Sequence, residues 1–101
     1  MIPTNRVTTH PGEILREEFL IPLDISMNAL ARALRVPPNR ISEIIAGDRS
    51  VSADTAMLLG RYFNTSDEFW INLQAMYDLT KARSEHRKEI EQDVQPMAMR
   101  A

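Results

Sequence analysis

The chain has no cysteine, which excludes a disulfide framework and a thiolate metal site and fits a reducing cytoplasm. Its three glycines are scattered, so no glycine-rich loop can cradle a phosphate. His10 and His86 are the only histidines, and no set of histidines and acids has metal-ligand spacing. Neither a metal nor a cofactor is therefore expected. No apolar run approaches the roughly 20 residues that span a bilayer. The opening MIPTNRVTTH lacks the apolar stretch of a secretion signal. A strong charge of one sign is missing too: 12 basic against 14 acidic residues leave −2. What remains is a 101-residue chain, 44% apolar, large enough to bury one core and no more.

The charge is unevenly spread. Residues 1–65 hold seven arginines against seven acids, and residues 66–101 hold five basic against seven acidic residues. Within 26–50, Arg32, Arg35, Arg40 and Arg49 face only Glu43 and Asp48. A weakly basic segment of this kind holds few phosphates, which predicts dimeric binding if the partner is nucleic acid.

That basic segment is also the most patterned. Met27, Leu30, Ala31 and Leu34 form one apolar stripe at helical spacing behind Ser26, a natural N-cap. Arg35-Val36-Pro37-Pro38 stops the helix. A second short helix opens at Pro38, turns Ile41, Ile44 and Ile45 inward, and closes at Gly47. Two short helices around a tight turn read as a helix-turn-helix. The exposed start of the second helix, Asn39, Arg40, Ser42 and Glu43, carries groups that can bond base edges or phosphates in a major groove.

The spacing predicts an all-α chain of five helices. The polar residues 1–9 form an N-terminal arm. Helix 1 opens at Pro11-Gly12-Glu13, buries Ile14, Leu15 and Phe19, and is expected to end at Pro22. Helices 2 and 3 are the pair just described. Helix 4 starts after Ser52 and carries Thr55, Leu58, Leu59, Tyr62 and Phe63. Helix 5 starts after Ser66, with Phe69, Trp70, Leu73, Met76 and Tyr77 as a broad apolar face. Residues 10–83 are thus expected as the DNA-binding domain. Residues 84–101 are a polar tail, helical in pattern to Glu91 but with little to pack on, and with a faint strand alternation at Ile90 and Val94. Met76, Tyr77, Ile90 and Val94 are the candidates for a dimer contact. His10, before Pro11-Gly12, reads as a helix cap rather than a base. Glu13, Glu17 and Glu18 read as a solvated helix face. With no activated nucleophile or plausible base, catalysis is not expected.

The chain resembles the HigA-type antitoxins of bacterial toxin–antitoxin pairs, within the repressor-like helix-turn-helix proteins. The resemblance rests on His10-Pro11-Gly12-Glu13-Ile14-Leu15-Arg16-Glu17-Glu18-Phe19-Leu20, on Ser26 to Gly47, on Ser52-Ala53-Asp54-Thr55-Ala56, and on Arg61-Tyr62-Phe63 with Phe69-Trp70-Ile71-Asn72-Leu73-Gln74. It spans about residues 10–79. It implies an all-helical homodimer that binds an inverted-repeat operator, represses its own operon, and blocks a small basic toxin that cleaves mRNA. It maps base contacts to Asn39, Arg40, Ser42 and Glu43, and backbone contacts to Ser26 and Asn28. Arg32, Arg35 and Arg49 complete the candidate DNA-binding set.

One departure is informative. Such a turn usually has glycine where this chain has Arg35. A left-handed residue there costs roughly 1 kcal/mol, which leaves open a remodelled turn and an Arg35 directed at a phosphate. Glu43 can accept from cytosine N4, orient Arg40 or repel the backbone. Arg49 can meet a phosphate or pair with Asp48. For the basic toxin, the acids Glu17, Glu18, Asp67 and Glu68 are the candidate contacts, by charge complementarity. The alternative is a plain small dimeric repressor without a toxin partner.

Overall fold

The computed structural model describes residues 6–98; the first five residues of the expected arm and the last three of the tail lie outside them. Among the described residues all regular structure is helical, in five rods. The first, α1, runs continuously over residues 11–23 as α-helical Pro11–Ile14, π-helical Leu15–Leu20 and α-helical Ile21–Leu23. Then come α2 (Met27–Leu34), α3 (Pro38–Ile45), α4 (Ala53–Phe63) and α5 (Asp67–Asp93).

Three helix starts follow the local code. Ser26, Ser52 and Ser66 accept hydrogen bonds from the backbone N–H groups of Ala29, Thr55 and Phe69. His10 caps α1, its Nδ1 accepting from the Gly12 N–H at 2.9 Å. The helix ends share a device as well. Asp24, Arg35, Gly47 and Asn64 all take left-handed backbone angles after α1 to α4. At Arg35 the turn is not remodelled: φ is 60°, and the Val36 N–H closes onto the Ala31 carbonyl at 3.0 Å. This is the Schellman geometry that glycine adopts at no cost, held here by an arginine.

Pro22 does not end α1, contrary to expectation. The preceding π-helical turn is the reason: the Ile21 N–H bonds back five residues, to the Arg16 carbonyl. That wider turn makes room for a proline ring that would otherwise meet a carbonyl one turn back. The helix stops instead at left-handed Asp24. The strand alternation at Ile90 and Val94 is not realised either. Ile90 sits inside α5, and Val94 is the extended residue that terminates it.

The core is built where α1, α2, α3, α4 and the first half of α5 converge. Leu15, Leu30, Ile41, Ile44, Leu59 and Trp70 are fully buried, each contributing about 1.5–3 kcal/mol. Phe19, Phe63 and Trp70 form an aromatic cluster, with Phe19 and Phe63 centroids 4.8 Å apart. Trp70 donates its indole N–H to Thr65 Oγ1 at 2.9 Å. Met27, Tyr62, Phe69 and Met76, expected on apolar faces, lie toward solvent. Gln74 and Thr80 take buried places on the inner side of α5 instead.

Gly12 sets how closely α1 approaches α3. A Cβ at this position would lie 1.8 Å from the Ile44 carbonyl oxygen, so only glycine permits the contact. On the other side, Thr8 docks the end of the arm onto α5, its N–H donating to Thr80 Oγ1 at 3.0 Å. The His10 ring meets Tyr77 edge-on at 4.8 Å. Burial lowers the His10 pKa from the ordinary 6.5; nearby Asp78 opposes this and Lys81 adds to it.

Beyond Thr80, α5 leaves the body. Every residue from 81 to 98 is exposed, and the molecule extends to 56 Å along its long axis. No helix among the described residues is long and apolar enough to cross a membrane.

Candidate nucleic-acid interface

The helix-turn-helix is positioned from behind. Leu30, Ala31 and Leu34 of α2, with Ile41 and Ile44 of α3, point into the core. The opposite side of α3 is thereby turned to solvent. Pro37 precedes α3 with extended angles and offers no side-chain cap. Pro38 has no N–H and the Arg40 N–H donates to the Pro37 carbonyl at 3.0 Å, which leaves the Asn39 N–H as the first-turn donor for an anionic oxygen.

Asn39 and Ser42 are exposed and Arg40 is half-buried on this surface. The Arg40 guanidinium makes no hydrogen bond or ion pair with any described residue. Ser42 Oγ donates to the Asn39 carbonyl at 3.2 Å. Ser26, Asn28 and Arg32 are exposed along α2, and Arg35 is exposed at the turn. The expected DNA-facing residues thus come together on α2, the turn and the start of α3.

Within the chain, Glu43 and Arg49 pair with each other, an arrangement the sequence did not suggest. Arg49 pairs with Glu43, not Asp48: its Nε donates to Glu43 Oε2 at 2.8 Å. Asn39 Nδ2 donates to Glu43 Oε1 at 3.2 Å. Glu43 therefore orients Asn39 and Arg49 rather than Arg40.

The loop that carries Arg49 is itself anchored. The Val51 N–H donates to buried Gln74 Oε1 at 2.8 Å, and Gln74 Nε2 donates to Asp78 Oδ1 at 2.9 Å. Gln74 thus ties α5 to the loop after α3, a role absent from the sequence reading. The available signal was a glutamine one helical turn after Trp70, where an apolar residue would fit the stripe. Gly12 was likewise read only as a helix opener.

The other candidates separate. At 100° per residue, Met76 and Ile90 fall about 120° and 160° round α5 from Trp70, away from its packed side. Both are exposed, as is Val94. Tyr77 is on the inner side against His10, with the Lys81 ammonium 5.9 Å from its ring centre. Glu17 pairs with Arg16, while Glu18 is exposed. Asp67 and Glu68 open α5, and a hydrogen bond with Asp67 raises the Glu68 pKa. Phe19 and Phe69 are 6.3 Å apart, so the segments that carry these two acidic groups are neighbours. Among the described residues no group of histidines and acids could hold a metal ion.

Comparison with known proteins agrees with this architecture. The helix-turn-helix family matches residues 15–70. Virulence-associated protein I of Dichelobacter nodosus is 51% identical over 76 residues, covering 75% of this chain and 70% of the relative. The Pseudomonas aeruginosa antitoxin HigA, solved with the higBA promoter, superimposes with a TM-score of 0.86. It is 50% identical, over 89% of this chain and 98% of that one. Antitoxin GraA in complex with its operator gives a TM-score of 0.89 at 40% identity, over 98% of this chain and all of the other.

Proposed function

The chain belongs to the helix-turn-helix family, among the HigA-type antitoxins, and from that membership we propose that it is a cytoplasmic DNA-binding antitoxin that represses its own operon and neutralises a cognate toxin. The observation that carries the DNA-binding part is the exposed start of α3. Arg40 has no partner among the described residues and stands beside Asn39 and Ser42, on a chain whose relatives were solved with promoter or operator DNA. Arg40 suits guanine O6 and N7, and Asn39 suits adenine N6 and N7. Ser26, Asn28, Arg32, Arg35 and Arg49 hold phosphates around them. One copy offers few such contacts, so two copies read an inverted repeat with half-sites about 34 Å apart. The outward residues Met76, Ile90 and Val94 are the candidates for holding those copies together.

The toxin is a small basic RNA-cleaving protein. Its contact lies away from α3, on the neighbouring segments that carry Glu17, Glu18, Asp67 and Glu68. Charge steers the encounter and buried apolar contacts set its lifetime. The protein contributes binding, not catalysis.

Co-purification with the product of the adjacent reading frame, followed by footprinting on the shared promoter, tests both parts. The expected result is a protected inverted repeat, with toxin retained on the operator-bound complex at a fixed ratio. A monomeric or sequence-blind footprint would remove the repressor reading. Failure of any neighbouring basic protein to bind would leave a plain repressor. Toxin that strips the protein from DNA at every ratio would refute separate sites.

A further inference from the structure

Glu43 is an unusual residue to find at the front of a DNA-reading helix. A carboxylate there is repelled by every phosphate it approaches, and its one good base contact is the cytosine amino group. Here both of its oxygens are engaged within the chain. Oε1 accepts from Asn39 Nδ2 at 3.2 Å, one helical turn back. Oε2 accepts from Arg49 Nε at 2.8 Å, across the turn that ends α3. Neither donor is used up. The Asn39 amide keeps its second N–H and its Oδ1, a donor and an acceptor that match the adenine major-groove edge. Arg49 keeps its terminal nitrogens, which suit a phosphate.

We propose that Glu43 does not read a base but positions the residues that do: it clamps Asn39 and Arg49 together and so couples one base contact to one phosphate contact. This rests on the DNA-binding reading above. The geometry makes the coupling physical. Arg49 belongs to a loop whose next anchor is the Val51 bond to Gln74, so the clamp ties that fastened loop to the first turn of α3. Its net effect on binding has two opposed parts. The charge weakens attraction to any DNA, and the clamp reserves affinity for sequences that satisfy Asn39 while Arg49 meets the backbone.

Two substitutions separate charge from geometry. Glu43→Ala removes both. Glu43→Gln removes the charge but keeps an amide oxygen for one of the two donors. Binding is measured with the full-length protein against its promoter fragment and a panel of single-base variants, at several salt concentrations. Circular dichroism confirms that each variant is folded. Both variants are expected to bind non-cognate DNA roughly two- to fivefold more tightly at low salt, an effect that fades as salt rises. Glu43→Ala is expected to lose roughly tenfold in discrimination at the base pair whose preference Asn39→Ala also abolishes. Glu43→Gln should retain most of it. The Asn39→Ala and Glu43→Ala effects should be non-additive at that pair.

Unchanged base preferences in Glu43→Ala would overturn the proposal. So would a lost preference at a pair that Asn39→Ala leaves intact, which would make Glu43 a reader in its own right. Wild-type protein that prefers no sequence would remove the DNA-binding reading as a whole, and the clamp with it.

Discussion

The two halves of α5 are one unbroken helix with opposite dependencies. Residues 67–80 are held by the rest of the molecule: Trp70 is buried, Gln74 bonds Val51, and Thr80 receives Thr8. Residues 81–93 touch solvent on every side. The first half draws its stability from tertiary contacts and gives some back, since it fastens the loop next to the reading head. The second half must live on helix propensity, local charge pairs and whatever binds it. A side chain's worth in this protein therefore depends on what it meets across the fold, not on its helix.

The largest expected break in this contrast comes from Gly12→Ala. The added methyl meets a backbone oxygen that cannot rotate away, so α1 must separate from α3 at a cost of about 3 kcal/mol or more. Ala82→Gly, a change of the same single carbon in the exposed half, should cost about 1 kcal/mol at most. Urea denaturation of the two variants measures the difference, and equal losses would erase the distinction between the packed body and the exposed half of α5.

Gln74→Ala should come next. It leaves the Val51 N–H without its buried acceptor, a loss of about 1–3 kcal/mol. It also loosens the loop that carries Arg49. A weaker operator complex with a shallower salt slope, beyond what the melting shift explains, is the expected signature.

A third test uses pH. The His10 pKa is lowered by burial, and its Nδ1 must be unprotonated to accept from Gly12. Below the ordinary value of 6.5 the unfolded chain therefore binds more protons than the folded one. By linkage, this group's contribution is whole above pH 6.5 and is lost as the pH falls below it. His10→Ala should cost about 1 kcal/mol at neutral pH through the lost cap and flatten the acid slope. Stability that rises on acidification through this window would contradict the assignment.

Arg35→Gly should act in the opposite direction and less strongly. With φ at 60°, glycine relieves roughly 1 kcal/mol of strain, partly offset by the freedom it gives the unfolded chain. A raised Tm with weakened operator binding would separate the turn's backbone from its charge.

The smallest effect is expected from truncation after Arg83. Residues 84–98 of the removed tail are all exposed, so the melting of the head should shift by less than about 0.5 kcal/mol equivalent. Any loss should fall on self-association through Ile90 and Val94. Loss of the cooperative transition would show that the projecting half belongs to the core after all.

Local chemistry explains what could be read in advance. Ser26, Ser52 and Ser66 cap helices because a hydroxyl reaches an amide three residues on. The stripes through Leu30 and Ile41 face inward because 3.6-residue periodicity leaves them no other common side. The same periodicity put Phe69 on the apolar face although it lies toward solvent, since it locates a face but not the edge of what covers it. Pro22 was misread for a related reason: a proline is tolerated or not according to the turn before it.

By itself, then, the sequence determined the helices, their starts and the pairing of α2 with α3, because caps, periodicity and turn chemistry act within a few residues. Only the tertiary structure decided that Gly12 lies against Ile44, that Gln74 holds the loop of Arg49, and that Glu43 joins Asn39 to that arginine. Those contacts depend on the relative placement of different segments. Burial and close packing of the whole chain set that placement, and local sequence patterns do not encode it.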